Sequence, residues 1–155
     1  MADAGALVTL EKTAFTTDIL SRRSFRHFLS SRSSTLLVAE DHGARLLGYV
    51  LVLYPPRSRL ARLYSIAVLP EASRRGIGSL LLAAAEEAAR RRGRCAMRLE
   101  VHEHNTRAIS RYERSGYRLF GRRPRYYEDH GNALRFEKDL VAEAVRHSTR
   151  FTVPT

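Results

Sequence analysis

The feature that most constrains this fold is one stretch in which strand, glycine loop and helix follow without a break. Residues 61–69 are apolar enough for a buried strand, and Pro70 stops them. Gly76 and Gly78 come next, then Leu80, Leu81, Leu82, Ala84, Ala85, Ala88 and Ala89 at the spacing of an amphipathic helix. Gly93 stands where a helix ends on a left-handed residue, and residues 95–101 form another strand. A chain built this way must lay a helix across a sheet.

The flanking sequence extends the pattern. Leu7, Leu10, Ala14 and Phe15 predict a first helix over residues 5–14. Thr16-Thr-Asp18 is read as the cap of a second helix carrying Ile19, Phe25, Phe28 and Leu29. Strands are expected at 35–39 and 46–54, with Asp41-His-Gly43 as the turn between them. A helix at 105–115 and strands at 117–127 and 133–140 complete the order. The fold class is therefore mixed α/β (α+β), helices on a central sheet. The expected organisation is one domain over residues 1–140 and a C-terminal tail at 141–155.

Charge enters next, because the formal net charge is +11 and the isoelectric point about 10.8. Such a balance draws anionic partners. The excess is almost wholly arginine, since only Lys12 and Lys138 are lysines. A uniform arginine bias also follows from base composition, and no nucleic-acid motif accompanies it, so nucleic acid is expected only as a non-specific partner. No apolar run is long enough for a membrane span. The N-terminus lacks a signal-peptide pattern and Cys95 is the single cysteine, so a cytoplasmic location is expected.

The loop Arg74-Arg-Gly-Ile-Gly-Ser79 is the first candidate site. Glycines let backbone approach a ligand, and a helix's first N–H groups lack internal partners. A diphosphate fits such an end, with Arg74 and Arg75 adding charge-assisted bonds. The bare Gly76-x-Gly78 pair is equally a plain helix-starting loop. It is not a P-loop, for no Gly-Lys-Ser/Thr follows, and Leu81 stands where a dinucleotide fingerprint needs its third glycine.

The second candidate region is residues 97–117. Alternation puts Arg98, Glu100 and His102 on one face of a strand and Met97, Leu99 and Val101 on the other. Glu100 is thus a carboxylate in mid-strand, expected beside apolar neighbours and partly buried, where it would be a better base. Asn105 is placed to cap the next helix, on which Ala108, Ile109 and Tyr112 share a face. His102 and His104 flank this region without the further partners a zinc site needs, so no metal is expected.

Taken in order, the strand ending at Val68, the loop 74–79 and the run Leu99-Glu-Val-x-x-x-Asn105-x-x-Ala108-x-x-x-Tyr112-x-x-x-Gly116-Tyr117 resemble the GNAT acyltransferases. Among them the chain is most similar to bacterial ribosomal-protein-alanine N-acetyltransferases, over roughly residues 5–140. The resemblance implies acetyl-CoA in a V-shaped opening between two splayed parallel strands. Ile66, Ala67 and Val68 would pair with the pantetheine, and Arg74, Arg75, Gly76, Ile77, Gly78 and Ser79 would hold the pyrophosphate. Asn105 would contact the cofactor and Tyr112 would lie by its sulfur as general acid, with Glu100 as general base through water. In N-terminal acetyltransferase relatives paired tyrosines before the final hairpin help line the peptide groove, and Tyr126 and Tyr127 are read as such a pair or as ordinary strand aromatics. His102, from its place beside the site, is read as a polar loop residue or a contributor to substrate binding or proton relay.

Acetyl transfer to a protein or peptide amine, chiefly an N-terminal α-amine, is the function so implied, by direct transfer with Cys95 as core filler. The alternatives are a polyamine or aminoglycoside acetyltransferase, and a non-catalytic acyl-CoA-binding protein. Relatives usually open with a strand before the first helix; here the pattern begins at the helix, so either that strand is absent or the true start lies upstream. A bare sheet edge is then expected, covered by the C-terminal tail or by a homodimer partner.

Overall fold

The structure, a computed structural model, describes residues 4–14 and 20–141. The elements run α1 (Ala4–Ala14), α2 (Arg22–Ser30), β1 (Ser34–Glu40), β2 (Leu46–Leu53), β3 (Leu60–Val68), a 3-10 turn (Pro70–Arg75), α3 (Ile77–Arg91), β4 (Ala96–His102), α4 (Thr106–Arg114), β5 (Arg118–Arg123) and β6 (Ala133–Asp139). The six strands form one sheet in the order β1-β2-β3-β4-β6-β5. Only β3 and β4 are parallel, and α3 is the crossover between them. The mixed α/β class is as expected.

Each face of the sheet has its own core. α3 lays Leu81, Leu82, Ala85 and Ala89 against Val50, Val52, Leu63, Met97 and Leu99. This is the four-residue spacing that the sequence displays. Gly48 permits the close approach: a Cβ there would stand 2.8 Å from the Ala67 carbonyl oxygen and 3.0 Å from Leu81. On the opposite face α1 and α2 bury Leu7, Leu10 and Phe25 on Tyr49, Leu51 and Ala67.

α2 starts later than the sequence pattern suggests. Its cap is Ser21, whose hydroxyl accepts the Ser24 N–H at 3.1 Å. The anticipated cap at 16–18, the apolar Phe15 and Ile19, and the tail from residue 142 lie outside the described residues. The strand expected at 117–127 is shorter, ending at Arg123, because Pro124 and left-handed Arg125 turn the chain away. Among the described residues no strand precedes α1, and β1 is a free edge. No described helix is long and apolar enough to cross a membrane.

One buried carboxylate pins α1 to the sheet. Glu11, 1% exposed, accepts the Tyr49 O–H and the Leu20 N–H, both at 2.8 Å. Tyr49 in turn shares a 2.7 Å hydrogen bond with Ser65 on β3. Burial raises the Glu11 carboxyl above its ordinary value despite these donors. The folded state therefore holds this proton more tightly than the unfolded chain, and stability attached to it falls as pH rises through the raised value. Glu11→Gln removes that dependence. Melting temperatures compared from pH 4 to 8 should show the wild type losing ground to the variant as pH rises; parallel curves would contradict it.

Candidate functional site

The site begins as a defect in the sheet. β3 and β4 pair from Leu60↔Ala96 to Leu63↔Leu99 and no farther, although β3 continues to Val68 and β4 to His102. The cause is visible on the other side of β3. Its register with β2 slips between Leu63 and Ser65, leaving Tyr64 as an extra residue. Such a bulge bends a strand, and here it turns β3 away from β4. Ile66, Ala67 and Val68 remain paired to β2, but their edge toward β4 is open.

A cleft of about 410 Å³ fills the opening and reaches both faces of the sheet. Ile66, Ala67, Val68, Glu100, His102, Asn105, Tyr112 and Tyr127 all line it. Eight expected site residues, from four separate segments, are thereby brought together. Ser65, Arg107 and Arg111 also line it and were not foreseen.

On the α3–α4 side, Tyr112 is 4% exposed and packs edge-on against Tyr117, with ring centroids 5.7 Å apart. Burial pushes its phenol up to about 12, only weakly opposed by Arg111. The hydroxyl makes no hydrogen bond to a described residue. Asn105 caps α4 as anticipated, its Oδ1 accepting the Ala108 N–H at 3.2 Å.

Beyond Asn105 lies the start of α3. Gly76 holds φ 77°, a left-handed conformation that favours glycine, and no side chain caps the helix. Among the described residues the N–H groups of Ile77, Gly78 and Ser79 have no acceptor. The Arg111 guanidinium lies over this turn, 2.7 Å from where a Gly78 Cβ would be. Arg74 and Arg75 end the 3-10 turn, exposed and outside the cleft lining. The unpaired amides and Arg111 thus form a cradle suited to a diphosphate.

The opposite side departs from expectation at Glu100. Its side chain is buried as expected, 8% exposed, but two guanidiniums stand beside it: Arg62 at 3.3 Å and Arg135 at 3.7 Å from its oxygens. The Arg135 Nε is buried without a hydrogen-bond partner among the described residues. Arg62 also donates to the Tyr126 hydroxyl at 2.7 Å. Tyr64 and Tyr127 line the cleft, whereas Tyr126 stands outside its lining, edge-on to Tyr127 at 5.0 Å; Tyr64 meets Phe28 of α2 at a centroid distance of 5.8 Å.

His102 is committed on both nitrogens. Nδ1 accepts the His104 N–H at 3.1 Å, so the neutral ring carries its proton on Nε2, which faces Asp129 at 2.9 Å. The ring stacks on Tyr127 at 5.1 Å. The Gly131 N–H above all, then His102, holds the Asp129 carboxyl below its ordinary value. His102 therefore fixes the turn bearing Tyr127. His104 is 82% exposed at its side chain and stands outside the cleft lining.

The model of the acetyltransferase (GNAT) family matches residues 6–117. The chain is 35% identical over 94 residues to the uncharacterized N-acetyltransferase YhfO of Bacillus subtilis (strain 168), covering 57% of this chain and 62% of that protein. It thus spans less than two thirds of the length of the curated relatives it matches. The ribosomal-protein-S18-alanine N-acetyltransferase of Escherichia coli superposes with a TM-score of 0.78 at 24% identity, over 88% of this chain and 87% of that one. Nourseothricin acetyltransferase superposes at 0.66 and is 33% identical over 70% of this chain and 66% of its own.

Proposed function

The chain belongs to the acetyltransferase (GNAT) family, and from that premise we propose that it moves the acetyl group of acetyl-CoA directly to a protein amine, foremost an N-terminal α-amine. The observation that carries this reading is the single cleft through the splayed strands, with Glu100 on one side and Tyr112 on the other. Acetyl-CoA, which the family uses, supplies a thioester-activated acetyl group. The residues present fit it: the open edge at Ile66–Val68 for an extended chain, and the unpaired amides of Ile77, Gly78 and Ser79 with Arg111 for phosphates.

The protein's own work is proton management. An amine must lose its proton before it attacks, and Glu100 is the carboxylate facing the entrance. Its oxygens are anchored by Arg62 and Arg135, so acceptance through a water is the fitting role. Tyr112 keeps its proton on Oη across the neutral range and has it free to give to a leaving thiolate. Glu100→Gln is expected to lower turnover by about 100-fold without weakening acetyl-CoA binding. Undiminished turnover would remove Glu100 from the base role.

An α-amine, with a reference pKa near 8 against about 10.4 for lysine, suits a base of this kind. The identity to nourseothricin acetyltransferase favours a second reading, a small-molecule amine acceptor. Release of CoA measured over a panel of N-terminal peptides, lysine peptides and small amines separates the two. We further propose one catalytic domain over residues 1–140 followed by a tail, a cytoplasmic setting, and a homodimer contact at the free β1 edge. A strictly monomeric solution state would remove the dimer.

A further inference from the structure

α1 and α2 cover their face of the sheet at β2 and β3, through Leu7, Leu10 and Phe25 on Tyr49, Leu51 and Ala67. The same face continues across β4, β6 and β5, and there it presents arginines. Register fixes their common side, because directly paired residues share a face. Arg62 pairs with Arg98, Arg98 with Glu137, and Glu100 with Arg135. β5 then sets Arg118 opposite Glu137 and Arg123 opposite Ala133, the partner of His102. Arg62, Arg98, Arg118, Arg123 and Arg135 thus stand on the face that holds Glu100.

The carboxylates there are already engaged. Glu100 takes Arg62 and Arg135, and Glu137 takes Arg98 at 2.7 Å. At the margin Asp129 is held by His102 and Glu103 by Asn132. Arg118 and Arg123 are exposed and pair with no carboxylate among the described residues. Asp139, the partner of Ala96, stands on this face too and accepts the Val141 N–H at 2.9 Å, so five guanidiniums face three carboxylates, spread over strands roughly 4.8 Å apart and within one screening length of their neighbours. Phe120, 42% exposed, sits under Arg98 and Arg135 at 4.7 Å from each and holds the forks in place.

We propose that this arginine face is the docking platform for an acidic segment of the acceptor polypeptide, the part that follows the reactive amine. The inference rests on the acetyl-transfer reading above and names the acceptor's chemistry. Arginine forks bind carboxylates in bidentate fashion. The platform is continuous with the cleft through Arg62, Glu100 and Arg135, so a chain delivering an amine to Glu100 lies over it. That continuity favours a polypeptide over nucleic acid, which would meet the same charge but bring no amine of this kind. From β4 to β5 is two strand spacings, roughly 10 Å, or about three extended residues. Acidic side chains at positions 3 to 5 of the acceptor are the ones that reach Arg118 and Arg123.

The test compares three peptides of equal length with free α-amines, carrying Asp/Glu, Gln/Ser or Lys/Arg at positions 3 to 5. The full chain and its Arg118→Glu/Arg123→Glu variant are assayed at low and high salt. The wild type should acetylate the acidic peptide with kcat/KM about 10-fold above the neutral one, chiefly through KM, and salt should shrink the difference. The variant should lose that preference while its melting temperature and acetyl-CoA affinity stay unchanged; Arg118→Gln/Arg123→Gln should fall between. Equal kcat/KM for the three peptides, or a preference that survives both substitutions, overturns the inference and leaves peptide acetylation standing. So does a variant that loses only oligonucleotide binding with peptide ranking intact. Acetylation of small amines and of no peptide overturns the protein-acceptor reading and this inference together.

Discussion

Replacing Tyr112 by phenylalanine is expected to lower turnover by about 100-fold while acetyl-CoA binds as before. The substitution removes one oxygen from a 4%-exposed ring and leaves its packing against Tyr117 and Phe136 intact. That hydroxyl bonds to no described residue, so its loss breaks no structural link. What disappears is a proton held at the cleft by a phenol pushed up to about 12. An acid of this kind stays protonated far above neutrality, and the wild-type rate should show no falling limb assignable to Tyr112 below about pH 11. Stopped turnover with unchanged binding separates a proton donor from a cofactor contact. Equal loss of both would make Tyr112 a binding residue instead.

Gly76→Glu should act in the opposite way, weakening acetyl-CoA binding by at least about 10-fold. Two effects combine. Gly76 holds φ 77°, where a non-glycine residue costs about 1–2 kcal/mol and tends to unwind the turn that aims the Ile77, Gly78 and Ser79 amides. The new carboxylate also sits at the helix start, where it competes with a phosphate for those amides. No atom lies within 4 Å of a Cβ at Gly76, so steric collision within the protein is not the cause. Calorimetric titration with acetyl-CoA checks it, and Gly76→Ala isolates the backbone share. Normal affinity in the glutamate variant would remove the cradle from its role.

Much of this was legible in the sequence because it depends on local pattern. The alanine and leucine spacing of α3, the Asn105 cap and the alternation that sets Glu100 apart from Leu99 and Val101 are all short-range signals. What escaped depends on contacts between distant segments. Arg62 and Arg135 reach Glu100 from other strands, and no spacing announces them. The bulge at Tyr64 that opens the sheet leaves no glycine or proline mark in β3. Arg111 is one helical position from Tyr112, yet only the tertiary fold brings its guanidinium to Gly78. Pro124, by contrast, was a readable stop for β5. It explains why Tyr126 and Tyr127 stand on a turn held to the Gly131 carbonyl instead of in a strand.

The central claim is that one cleft joins a base at Glu100 to an acid at Tyr112 for acetyl transfer. It is tested most directly by the rate of CoA release from acetyl-CoA with an α-amine peptide, measured for the wild type, Glu100→Gln and Tyr112→Phe. The account predicts peptide-dependent release by the wild type, with the peptide gaining one acetyl group. Each variant should be slower by about 100-fold at unchanged acetyl-CoA affinity. Release that both variants sustain at the wild-type rate would contradict it.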